Sequence, residues 1–137
     1  MPASLLILTS AAIMFALGAL HLLYSFHGPN LRPRDPELED RLKAVSPVIA
    51  RRTTMWKCWI GFNVSHAFGL LFFAFVYAYL ALAQSALLFG SAYLASVGGL
   101  LLGGYMVLAK RYWFSAPFRG VTLATVFYVA GFIASRV

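Results

Sequence analysis

The sequence predicts an all-α protein, an antiparallel four-helix transmembrane bundle with a short amphipathic helix in its first cytoplasmic loop. Three observations carry this reading. The 137 residues are 61% hydrophobic and 11% charged, against about a quarter charged in an ordinary soluble domain. A chain this short has no water-excluding core large enough for so much apolar surface. The apolar residues gather in four stretches, about residues 3–26, 55–83, 87–109 and 118–135, each close to the roughly 20 residues that a spanning helix needs. Nearly all the charge falls in two of the gaps between them.

Each span is expected to be helical, because backbone exposed to lipid has to satisfy its own hydrogen bonds. None has an internal proline, and the alternation of a membrane barrel is absent. The first stretch has no Lys or Arg before it and is too long for a signal core, so it reads as a retained helix. The first gap, residues 27–54, opens with Pro29, Pro33 and Pro36, which forbid a helix there. Residues 36–45 then form a short-helix pattern. Asp35 can cap it, Pro36 suits the first position, and Glu37, Glu39 and Asp40 favour its positive end. Leu38, Leu42 and Val45 share one face. Such a helix can lie on the membrane surface, fold under the bundle as a lid, or simply tie the first span to the second. The second gap, at Gln84–Ser85, reads as a tight turn. The third is short and aromatic, from Tyr112 to Pro117, with Tyr and Trp suited to the headgroup level. No repeat is evident, and residues 1–137 read as one transmembrane domain.

Charge sets the orientation. Ten of the eleven Lys and Arg residues lie in or beside the first and third gaps, and Arg136 alone dissents. The positive-inside rule then puts both basic loops in the cytoplasm and both termini outside. The net charge of +7 is what orientation and anionic headgroups require, and no aromatic–basic motif points to nucleic acid. With Cys58 as the single cysteine, no intrachain dithiol chemistry is available. Cys58 reads as a small packing residue.

Small residues recur on two spans: Ser91, Ala95, Gly99 and Gly103 on the third, and Gly61, Ser65 and Gly69 on the second. Such stripes allow close backbone approach in lipid. The partner across the Gly99/Gly103 or Gly61/Gly69 stripe is either this chain or another copy or protein.

Polar groups inside a membrane are costly and therefore mark candidate sites. The prominent ones are His21 in the first span and Asn63 and His66 in the second. Arg52, Trp56, Trp59, Asn63 and His66 follow one another at spacings of four, three, four and three, which is one helical stripe. His21 shares a stripe with Ser10, Met14, Gly18 and Ser25. With a rise of 1.5 Å per residue, His21 lies roughly 7 Å inside, Asn63 about 6 Å and His66 about 10 Å. His21, Trp56, Trp59, Asn63 and His66 are therefore expected to face one another.

Three readings of that constellation stay open. The side chains hydrogen-bond across helices and hold the bundle together. Alternatively, they line an inward-facing aromatic and polar pocket for a small amphipathic molecule such as a lipid, quinone or sterol-like compound. Or His21 and His66 ligate a metal or haem b, in a redox protein. Catalysis is the poorer reading, since the spans offer no carboxylate as acid or base, and no catalytic residue is assigned. The same lack argues against a proton-coupled carrier.

Three blocks carry a resemblance: Gly18-Ala19-Leu20-His21-Leu22-Leu23-Tyr24; Thr53-Thr54-Met55-Trp56 through Gly61-Phe62-Asn63-Val64-Ser65-His66; and Lys110-Arg111-Tyr112-Trp113-Phe114 before Pro117-Phe118-Arg119-Gly120. The chain resembles a family of small, uncharacterised bacterial four-helix membrane proteins and is more distantly similar to the DoxX-like group. The resemblance implies a bacterial inner-membrane location and an antiparallel four-helix bundle, and brings no activity. A four-helix sterol-isomerase-like group is similar in outline, but its membrane acidic residues have no counterpart here. The expected role is to bind a small amphipathic molecule, with no resident cofactor, or to serve as a membrane-embedded partner subunit.

Overall fold

A computed structural model describes residues 2–136. Helices account for most of that length, and no strand occurs among the described residues. The elements are α1 (Pro2–Phe26), α2 (Pro36–Ala44), α3 (Met55–Ala83), α4 (Ser85–Gly90), α5 (Ala92–Tyr112) and α6 (Ser115–Ala134). Helices α1, α3, α5 and α6 have the length and apolar composition to cross a bilayer. The chain is a multi-pass, all-α membrane protein, and its four long helices fit a four-helix bundle.

The starts of the third and fourth spans differ most from those expected. The third span begins at Ala92, not near residue 87. Ser91 leaves helical backbone, at φ −101° and ψ 106°, and its side chain accepts a hydrogen bond from Leu94 N. That cap starts a new helix, and the residues before it form the separate α4. The fourth span starts at Ser115, upstream of Pro117. The proline fits within the first turn, where a missing N–H breaks no intrahelical bond.

The chain divides into two compact units, with the boundaries inside α1 and α3. Among the described residues, one unit takes the N-terminal part of α1 to Leu17 and residues 70–136. Its core residues recur at helical spacing: Ile7, Ser10 and Met14 on α1; Leu70, Phe73, Ala74 and Tyr77 on α3; Leu102, Tyr105 and Ala109 on α5; Val121, Ala124 and Tyr128 on α6. The remaining faces are apolar too, with Phe72, Phe75, Leu100 and Val126 exposed, as expected where lipid is the solvent.

An aromatic cluster fixes α5 in this unit. Phe73 stacks on Tyr77 with ring centroids 4.5 Å apart, and Tyr77 meets Tyr128 edge-on at 5.5 Å. The Tyr77 hydroxyl donates to Leu94 O at 2.6 Å, and that of Tyr128 to Ala95 O at 2.9 Å. Both oxygens stand where a Cβ on the buried Gly98 would be, so a side chain there would overlap them. The close approach is therefore made at Gly98. Gly99 and Gly103, on the stripe singled out in the sequence, have no neighbouring atom within 4 Å of where a Cβ would stand, and neither does Gly61.

The other unit is Gly18–Gly69. It holds the C-terminal part of α1, the first loop with α2, and the N-terminal part of α3. Asp35 caps α2 by accepting from Glu37 N at 3.0 Å, and Pro36 opens the helix, as the sequence indicates. Helix α2 buries none of its residues. Glu39 bonds Lys43 at 2.7 Å and lies 3.5 Å from Arg32. The ammonium and guanidinium hold the Glu39 carboxyl below its ordinary pKa, and the same Glu39 bond raises Lys43. Lys43 also stands over the Trp56 ring, 5.6 Å from its centroid, which ties α2 to the start of α3.

Candidate functional site

All five residues singled out by the sequence lie in the Gly18–Gly69 unit; His21 contacts both Asn63 and His66, whereas Trp56 and Trp59 line a cavity with Asn63 that neither histidine lines. His21 Nε2 lies 3.0 Å from Asn63 Oδ1, and Asn63 Nδ2 donates to Trp59 O at 2.8 Å. The His21 and His66 rings meet edge-to-face with centroids 4.9 Å apart. Ser25 Oγ donates to His21 O at 2.8 Å.

This chain of bonds fixes the chemistry of His21. A carbonyl only accepts, so the Asn63 group bonded to Trp59 O has to be its NH2. The amide oxygen is then the atom that faces His21, and it too only accepts. Nε2 of His21 therefore carries the proton, and in the neutral ring Nδ1 is the acceptor nitrogen.

Trp56, Trp59 and Asn63 line a cavity of about 100 Å³ together with Tyr24, Leu31 and Arg32. His21 is joined to this cavity through Asn63, and His66 only through its ring contact with His21. The loop wall closes because Gly28 turns the chain, at φ +81°, and the Trp59 indole N–H donates to Leu31 O at 3.0 Å. Gly28 is the one described residue whose backbone needs the left-handed region. Sequence reasoning missed Tyr24, Leu31 and Arg32. The glycine–proline pair at Gly28-Pro29 signals a reversal, yet it does not say which side chain the reversed chain meets.

The sequence also offers the two histidines as axial ligands of haem. As placed, they do not fit. An iron held between opposed imidazoles, with metal–nitrogen bonds of about 2 Å, separates the ring centroids by roughly 6 Å and needs the macrocycle between them. The rings instead touch, and Nε2 of His21 is committed to Asn63. Among the described residues no group of three His, Cys, Asp or Glu side chains is disposed to hold a metal ion.

Comparison with known protein families, curated proteins and solved structures yields no match to this chain. The functional reading therefore rests on the site itself.

Proposed function

We propose that this membrane protein binds a small amphipathic molecule in the cavity formed by Trp56, Trp59 and Asn63. The observation that carries the reading is the junction at Asn63. One side chain lines an aromatic-walled cavity and also closes a hydrogen-bonded chain to His21. Apolar walls with a few fixed polar groups are what small-molecule sites require. A network serving only to hold helices together has no need of the adjoining cavity. Binding, not catalysis, is the role supported, since no carboxylate lines the cavity to move a proton.

The test is mass spectrometry of solvent extracts from protein purified in mild detergent. We expect one amphiphile near one equivalent per chain, reduced several-fold in Trp59→Ala protein of unchanged helical content. An extract indistinguishable from the bulk membrane lipid would overturn the reading. A stoichiometric protein in place of a small molecule would favour a membrane-embedded subunit, seated on the open Gly99/Gly103 face.

The resemblance to small bacterial four-helix proteins supports an inner-membrane location. The Lys/Arg asymmetry supports antiparallel spans with both termini outside and the 27–54 loop in the cytoplasm. Under that topology a periplasm-dependent reporter fused after Arg136 is active and a cytoplasm-dependent one is silent. The reverse pattern would invert the orientation.

A further inference from the structure

The cavity is too small for a whole amphiphile. At about 100 Å³ it is smaller than the roughly 150 Å³ that accommodates benzene. It has room for a head, and a tail has to go elsewhere. A second depression lies beside it and shares two of its walls, Phe26 and Ile60. This is an open groove of about 490 Å³ along α3, running from Lys57 past Gly61 and Val64 to Phe68. Gly61 supplies an open floor, with no atom within 4 Å of a Cβ position. The one hydroxyl in the groove, Ser65 Oγ, is turned back onto Gly61 O at 2.7 Å and Phe62 O at 3.1 Å. The groove is thus apolar in effect. Phe68 is eleven steps along the helix from Lys57, or about 16 Å. That is close to half of the roughly 30 Å hydrocarbon thickness, the depth of one leaflet.

Charge selects the head. Arg32 lines the cavity and Lys57 lines the groove, and no Asp or Glu lines either. Arg32 is only loosely held by Glu39, at 3.5 Å against 2.7 Å for the Lys43–Glu39 bond, and its side chain is 53% exposed. The guanidinium therefore keeps donors to offer an incoming anion.

We propose that the ligand is an acidic phospholipid of the adjacent leaflet. Its phosphate-bearing head lies between Arg32 and Lys57 at the cavity mouth, and one acyl chain lies in the groove floored by Gly61. This rests on reading the Trp56–Trp59–Asn63 cavity as a binding site, and it names the chemical class of what binds there.

The full chain carrying Trp113→Phe, so that Trp56 and Trp59 alone emit, is reconstituted in vesicles. Brominated phosphatidylglycerol or brominated phosphatidylcholine is then added at equal mole fraction as quencher. We expect the acidic lipid to be preferred by about tenfold, falling to near unity in Arg32→Gln/Lys57→Gln protein while phosphatidylcholine quenching persists. Equal quenching by the two lipids overturns the acidic-lipid assignment. Quenching by neither overturns occupation of the groove by lipid. In both cases, a neutral amphiphile found in the solvent extract leaves the cavity reading standing. An empty extract removes both.

Discussion

Gly98→Ala is expected to lower the unfolding free energy in detergent by about 3 kcal/mol. A single added methyl in a well-packed interior costs about 1–3 kcal/mol. Here it meets two oxygens that have nowhere to go. The Tyr77 and Tyr128 hydroxyls are placed by their bonds to Leu94 O and Ala95 O, and their rings are held by Phe73 and by each other. Relieving the overlap at Gly98 moves both rings and weakens both bonds, each contributing about 0.5–1.5 kcal/mol. Gly99→Ala, one residue along the same helix, meets open space and is expected to be neutral or slightly stabilising through helix propensity. Thermal unfolding of the two variants followed by circular dichroism makes the comparison. Equal midpoints would show that the tyrosine pair does not lock α5.

That contrast also shows what the sequence could and could not convey. The existence and type of the four long helices were legible because solvent chemistry dictates them: an apolar stretch of spanning length has few alternatives. Helix α2 was legible through its own punctuation, since Asp35, Pro36 and the acidic first turn act locally. The rotational phase of the spans was legible only where polar residues interrupt them. Trp56, Trp59, Asn63 and His66 mark a face of α3 because so little else on that helix is polar. On α5 the four-residue spacing of small residues points to Gly99 and Gly103, and only the tyrosines of α3 and α6, once in place, show that the approach is made at Gly98. The break at Ser91 had a local signal, a serine able to cap, but it sat within a stretch whose hydrophobicity ran through it. Arg32 and Tyr24 were hidden for a different reason. Their part in the cavity depends on how the proline-rich loop folds back onto Trp59, and no periodicity encodes that path.

Asn63→Leu is expected to uncouple the site while leaving the fold intact. Leucine has the branching and heavy-atom count of asparagine but accepts and donates nothing. The proton on His21 Nε2 loses its acceptor and the Trp59 carbonyl loses its second donor. An orphaned buried donor costs about 1–3 kcal/mol, but cross-helix bonds in membranes average only about 0.6 kcal/mol. Because His21 is part-buried, the lower end applies, and a loss of about 1 kcal/mol is expected. Most of it should appear as coupling in a double-mutant cycle with His21→Leu, since each single change breaks the same bond. The tautomer gives a readout that packing alone does not move. Nitrogen-15 spectra should show His21 protonated at Nε2 in the native protein and as a mixture of tautomers in Asn63→Leu. Retention of the bound amphiphile should fall about tenfold, equivalent to about 1.4 kcal/mol, because the variant removes the amide from the cavity wall and releases the histidine behind it. If His21 keeps a single tautomer and the coupling is zero, Asn63 does not set the histidine, and the cavity and the His21–His66 contact are separate features of the same helices.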